Sequence, residues 1–228
     1  MAALPPLRYL SGADVAAAMP PLSERLELAT STLLGLAGEA ELPPKIGVHP
    51  RPAGAFAHAM PAFLPGDAAA ADRLGMKWVL GFATNHGLGM PAIHGVLLLN
   101  DASTGAPTGI LDAAPITAER TAAISGVAIR AWAPTVAGRG HRVALIGAGV
   151  QGRSHVPVIG HVLPGAELAV YDRHPERAVA VAEAARATDG IAGVRIAASA
   201  REAVDGADVV VTAASFTTPD RRQVMTND

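Results

Sequence analysis

A chain of 228 residues, half of them apolar and 17% charged, has material for one large or two small domains with buried cores, and its composition is not that of a disordered polypeptide. A formal net charge of −2 with no long basic run argues against nucleic acid as a partner. The lack of cysteine excludes a disulfide framework, a thiol nucleophile and a cysteine metal site.

The opening Met-Ala-Ala-Leu-Pro-Pro-Leu-Arg is not a basic segment followed by a long apolar one, and no apolar run reaches the length of a membrane span. The expectation is a cytoplasmic protein without a membrane partner. Ser11 and Asp14 have the spacing of a capping box that opens a helix, and Leu22–Ala37 reads as a second helix. Extended segments are predicted at Lys45–His49, Ala55–Ala59, Lys77–Phe82 and Ile93–Asn100, with turn signals at Pro50–Gly54 and Asp101–Gly105. Met60-Pro61 closes the segment that begins near Phe56. Leu111 ends another strand, and Thr117 reads as the N-cap of a helix running to about Ala131. These elements describe an α+β domain with a largely antiparallel or mixed sheet. Ala133–His141, with one proline and two glycines, is a linker composition, so the domains are expected to be 1–132 and 133–228.

Beyond the linker the pattern alternates. Strands are expected at Arg142–Ile146, Glu167–Tyr171, Val194–Ala197 and Asp208–Thr212, with helices at Gln151–Leu163, Pro175–Thr188 and Ala200–Asp205. Strand and helix in alternation predict an α/β, Rossmann-type doubly wound parallel sheet, and the apolar strands suit burial on both faces. The first strand runs into a complete G-x-G-x-x-G at Gly147, Gly149 and Gly152, and Asp172 follows twenty positions past the last glycine. The first glycine allows a tight turn, the second lets backbone approach a pyrophosphate, and the third lets helix pack close to strand. The helix N-terminus offers free N–H groups to phosphates, and Asp172 accepts from the ribose hydroxyls. Because the sequence ends at Asp228, soon after the fourth strand, the dinucleotide domain is expected to be incomplete at its C-terminus.

Two cations stand out elsewhere. Lys77 sits in an apolar strand and is either an outward-facing lysine or one that lines a pocket, where burial can enable proton transfer. Arg120 lies in what the pattern makes the first turn of a helix, a site that disfavours a cation unless an anion binds beside it; the alternative is a surface arginine paired with Glu119. The histidines form no H-x-x-H or H-E-x-x-H pattern, so no metal site is expected. Neither a G-x-S-x-G elbow nor a P-loop is present.

The segments Ala59–Pro65, Gly75-Met-Lys-Trp-Val79, Gly87–Gly95 and Leu111–Ala123, in that order before the Gly147 fingerprint, resemble the ornithine cyclodeaminase/mu-crystallin family over nearly the whole chain. The resemblance implies a nicotinamide-dependent enzyme transferring a hydride at the α-carbon of a small amino or imino acid. The types in view are ornithine cyclodeaminase, alanine dehydrogenase and ketimine reductase. The alternative is a non-catalytic, mu-crystallin-like protein that binds NAD(P) or a small ligand. It also implies a homodimer joined through the N-terminal, substrate-binding domain.

Carried over by position, Lys77 is the active-site lysine, and Lys45, His58, Met60 and Lys77 contact substrate. Arg120, Thr121, Gly147, Gly149, Val150, Gln151, Gly152, Asp172, Arg173, Thr212 and Ala213 bind the cofactor. Three positions depart from the family pattern. Lys45 replaces a carboxylate-binding arginine, keeping the charge but losing the bidentate fork. His58 stands where the cyclodeaminases have an acid, and Ala92 where the family has threonine. The cyclodeaminases' catalytic aspartate falls beyond Asp228. Asp172 favours NAD over NADP by repelling a 2′-phosphate, whereas Arg173 is placed to grip one, so NADP remains the alternative cofactor.

Overall fold

The computed structural model describes residues 6–68 and 71–214, which form two compact units dividing between Thr117 and Ala118. The divide falls inside a helix, whereas the linker composition had suggested 132/133.

The first unit is built on a six-stranded sheet. Its strands are β1 (Arg8–Leu10), β2 (Ile46–Val48), β3 (Phe56–Leu64), β4 (Arg73–Gly81), β5 (Ile93–Asn100) and β6 (Pro107–Asp112), in the order β1-β6-β5-β4-β3-β2. All neighbours are antiparallel except β1 and β6, so the sheet is mixed, as expected. Helix α1 (Gly12–Ala17) opens with the capping box read from sequence: the Asp14 N–H donates to Ser11 Oγ, and the Ser11 N–H donates to Asp14 Oδ2 at 2.9 Å. Helix α2 (Leu22–Gly35) buries Leu26 completely.

Several boundaries differ from expectation. Strand β3 does not close at Met60-Pro61 but runs on to Leu64, and β4 begins at Arg73 rather than Lys77. The proline is tolerated because N–H direction alternates along a strand. Phe63 exchanges hydrogen bonds with Glu41, on the side away from β4, so Pro61, two residues earlier, also turns its nitrogen away from β4. On that side β2 has already ended its pairing at Ala59, and no ladder bond is forfeited. Helix α3 runs Ala114–Trp132, so Thr117 is not its N-cap. Ala113 holds that position, its carbonyl accepting the Thr117 N–H, and Asp112 caps from one residue earlier: its Oδ1 accepts the Ala114 N–H at 2.8 Å, and Pro115 follows in the first turn, where a missing N–H costs nothing.

The second unit is a four-stranded parallel sheet in the order β10-β7-β8-β9, with β7 (Arg142–Ile146), β8 (Ala166–Tyr171), β9 (Ile191–Ile196) and β10 (Val209–Thr212). Helices α4 (Val150–Val162), α5 (Pro175–Arg186) and α6 (Ala200–Val204) alternate with these strands. The side-chain period of two sorts the apolar strands onto both faces. Val143, Leu145, Leu168 and Val170 pack with Val156, Ile159, Val181 and Ile129 on one face. Ala144, Ile146 and Ala169 pack with Ala203 and Ala197 on the other. Burying a side chain such as Leu145 contributes about 1.5–3 kcal/mol, so the first face carries most of the unit's cohesion.

Candidate functional site

In the second unit the turn after β7 is shaped by its glycines. Gly147 has φ of 103°, a left-handed value that costs a side-chain-bearing residue energy, and a Cβ there would lie 2.6 Å from the Ala213 carbonyl carbon. A Cβ on Gly152 would collide with the Gly147 carbonyl oxygen. Gly149, the N-cap of α4, differs: a Cβ there would have nothing within 4 Å. No neighbour in the described fold requires glycine at 149, whereas a backbone-hugging ligand would. The first turn of α4 presents its N–H groups at the same place.

Asp172 directly follows β8 and reaches back to this turn. Its Oδ2 accepts the Ala148 N–H at 2.7 Å and its Oδ1 the His174 N–H at 2.8 Å. Each oxygen keeps a second lone pair for a ribose hydroxyl. Arg173, next along, is exposed and donates from Nε to His174 Nε2 at 3.3 Å. The end of β10 lies against the same turn, with the Ala213 N–H bonded to the Ile146 carbonyl at 2.7 Å.

Thr121, Gln151, Thr212 and Ala213 line one cleft of about 450 Å³. Four residues chosen for cofactor binding over 93 positions of sequence therefore share one cavity. Arg120 is the seventh residue of α3, not a first-turn residue, so the argument that a cation sits against the helix N-terminus fails for it. The fold instead puts it two positions beyond Ala118, whose carbonyl accepts Ser154 Oγ of α4 at 3.3 Å.

Two side chains in the cleft were not recognised as site residues from sequence. His155 of α4 is 4% exposed and bonds Ser125 of α3 through Nε2 at 2.9 Å and the Gln151 carbonyl through Nδ1 at 2.6 Å. Burial lowers its pKa; the Gln151 carbonyl and the Glu119 charge oppose that. The Q-x-x-x-H spacing was a readable sign, since residues four apart share a helix face, but the Ser125 contact was not.

In the first unit Met60 of β3 pairs with Lys77 of β4, and His58 pairs with Val79 two positions on, so all of these lie on one face of the sheet. The His58 ring stacks on Phe56 at 4.5 Å and overlies β2 at Gly47, where a Cβ would meet the imidazole at 2.5 Å. Desolvation, then the charges of Lys45 and His49, lower the His58 pKa, which keeps it neutral near pH 7. Lys45 is exposed and directly precedes β2, whose Ile46 pairs with Ala59. The four substrate-contact candidates therefore cluster. Among the described residues there is no group of three or more histidine, aspartate or glutamate side chains placed to hold a metal, and no helix is long and apolar enough to cross a membrane.

A parallel sheet that presents a glycine turn, a carboxylate at the next strand end and an open cradle defines a dinucleotide-binding α/β protein. The chain belongs to the ornithine cyclodeaminase/mu-crystallin family, whose family model matches residues 15–228. It is 40% identical to the nodulation efficiency protein NfeD of Rhizobium meliloti, over 92% of this chain and 62% of that protein. It is 32% identical to the ketimine reductase mu-crystallin of Mus musculus, over 72% of this chain and 49% of that protein. Its fold matches the Δ1-pyrroline-2-carboxylate reductase of Thermococcus litoralis, solved with NADH and L-proline, with a TM-score of 0.80 and 30% identity, covering 90% of this chain and 61% of that one. The chain thus spans from 49% to 62% of the length of these relatives.

Proposed function

We propose that this chain belongs to a nicotinamide-dependent enzyme that transfers a hydride at the α-carbon of a small amino or imino acid, with NAD as its cofactor. The observation that carries the reading is the open space at Gly149 beside Asp172, joined in one chain with a lysine-bearing sheet face. The ketimine and pyrroline-2-carboxylate reductases among the relatives support the substrate class.

Arg120, the first-turn N–H groups of Val150 and Gln151 and the bare Gly149 hold the pyrophosphate; Asp172 takes the ribose. When bound, a nicotinamide gives a hydride to the α-carbon of an imine or takes one from that of an amine. Lys45 and Lys77 offer positive charge to the substrate carboxylate, and Met60, across the ladder from Lys77, supplies an apolar wall. In imine reduction the substrate nitrogen gains a proton as the α-carbon gains the hydride, and the Lys77 ammonium is the donor on this face. His58, neutral near pH 7, contributes hydrogen-bonding capacity without adding charge. The protein works in the cytoplasm as a homodimer joined through the first unit; the exposed apolar residues Leu34, Ile46 and Val48 support such an interface.

The test is NADH oxidation by the purified chain with Δ1-pyrroline-2-carboxylate and related cyclic imines. Turnover that Lys77→Ala lowers at least ~100-fold, with NADH affinity kept, is the expected result. Turnover unaffected by that change removes Lys77 from the chemistry.

A further inference from the structure

Ser125, His155 and Gln151 form a part-buried chain of hydrogen bonds for which the proposed chemistry has no use, at the wall of the cleft that holds Thr121, Thr212 and Ala213. A carbonyl only accepts, so the proton of the neutral imidazole is on Nδ1, which donates to the Gln151 carbonyl. Nε2 is then an acceptor, and the Ser125 hydroxyl donates to it. Ser154 Oγ lies 3.0 Å from the Gln151 carbonyl and 3.3 Å from the Ala118 carbonyl of α3, and its single proton is shared between the two.

Gln151 is the second residue of α4, in the turn whose N–H groups face the open space at Gly149. His155 thus joins that carbonyl to Ser125 of α3 through its two ring nitrogens, and Ser154 adds one shared proton between the same carbonyl and Ala118 of α3, the helix that carries Arg120 and Thr121. We infer that His155 is a positioning residue for the dinucleotide: with Ser125 and Ser154 it sets the first turn of α4 and the Arg120 segment of α3 in one fixed relation, so that both meet the same pyrophosphate. A locked arrangement spares the ordering cost that a loose pair of helices would incur on binding. The inference rests on the dinucleotide reading above.

The test compares His155→Asn with His155→Leu in the whole chain. The asparagine amide nitrogen falls near the position of Nδ1 and keeps the bond to the Gln151 carbonyl; leucine fills the space and makes no bond. NADH binding, followed by fluorescence, is expected to stay within about threefold of the unaltered protein for Asn and to weaken about tenfold or more for Leu, with similar melting temperatures for the two. Ligand-free hydrogen exchange at the Arg153 and His155 amides is expected to be faster in His155→Leu than in His155→Asn. Equal NADH affinities for the two variants, or losses that track melting temperature alone, overturn the inference. Should the leucine variant fail to fold, His155→Gln replaces it, since its amide reaches Ser125 but not the Gln151 carbonyl, and the same tenfold loss is expected. If the unaltered chain binds no NADH, the dinucleotide reading fails by itself, and exchange rates that do not differ between the variants overturn the positioning role independently.

Discussion

The carboxylate of Asp172 accepts the Ala148 N–H at 2.7 Å, which binds the end of β8 to the glycine turn that follows β7. Ala148 is 3% exposed, so with Asp172 in place its N–H is shielded from water. Asp172→Ala is therefore expected to lower stability by about 1–3 kcal/mol, the cost of a buried unsatisfied donor, and to weaken NADH binding as well. Asp172→Asn keeps one acceptor oxygen and is expected to lose less of both. Denaturant melts and NADH titration of the two variants check this; an alanine variant as stable as the parent would show that the Ala148 bond contributes nothing.

A carboxylate at that position also repels a 2′-phosphate. NADH is expected to bind more tightly than NADPH, and Arg173→Ala to leave NADH affinity within about twofold, since Arg173 spends its Nε on His174. Paired titrations with the two nucleotides decide it, and a preference for NADPH that Arg173→Ala abolishes would reverse the assignment.

Gly147 and Gly149 are expected to fail in different ways. Alanine at 147 must adopt φ of 103° and meets the Ala213 carbonyl, so Gly147→Ala destabilises the fold by about 1–3 kcal/mol whether or not a ligand is present. Alanine at 149 meets nothing, so the melting temperature of Gly149→Ala should match the parent while NADH affinity falls. Thermal melts with and without NADH separate the two. A Gly149→Ala protein that binds NADH normally would mean that the open space is not where the pyrophosphate lies.

The parallel sheet was legible because its strands are buried on both faces and read as continuous apolar runs, as Val143–Ile146 does. The start of α3 was misplaced because Thr117 is a good capping residue by type, yet Asp112 captured the Ala114 N–H first, and only Pro115 hinted at it. Strand β3 was cut short at Pro61 because the rule against proline in a ladder depends on which neighbour the nitrogen faces, and that is a property of the sheet. His155 escaped notice as a site residue for a related reason: its partner Ser125 lies thirty residues away on another helix, and no local pattern joins them. Lys77 and Met60 could be named from resemblance, but their direct cross-strand pairing comes from the register of β3 on β4.

Lys45 stands where the resemblance implies an arginine. If it grips a substrate carboxylate, Lys45→Arg restores a planar fork and is expected to lower KM severalfold with kcat little changed, while Lys45→Met raises KM about tenfold. Steady-state kinetics with a cyclic imino acid measures both, and a KM that ignores either change would take Lys45 out of the substrate site. Charge at this position also bears on His58, whose pKa it helps to depress, so Lys45→Met is further expected to move the His58 titration upward, as NMR of the imidazole would report.

Asp208 holds the β7 and β10 ends of the second sheet together. Arg139 grips it with both Nη atoms, at 2.6 and 2.8 Å, and the Arg142 N–H donates to it at 2.8 Å. These contacts, the Arg139 hydrogen bonds first, hold the Asp208 carboxyl well below its ordinary value of 3.8. A carboxyl depressed in the folded state binds protons more readily when unfolded, so its contribution is complete above about pH 4 and is lost as pH falls through the folded value. Asp208→Asn is accordingly expected to melt below the parent at pH 7, with a gap that narrows as pH drops from 4 toward 2. Rising salt should narrow the gap at pH 7 only in part, because the Arg142 N–H bond is short-ranged while the Arg139 charge is screened. Melting curves across that pH range settle the matter; a gap that stays constant down to pH 2 would mean that the ionised carboxylate is not what ties Arg139 and Arg142 to the start of β10.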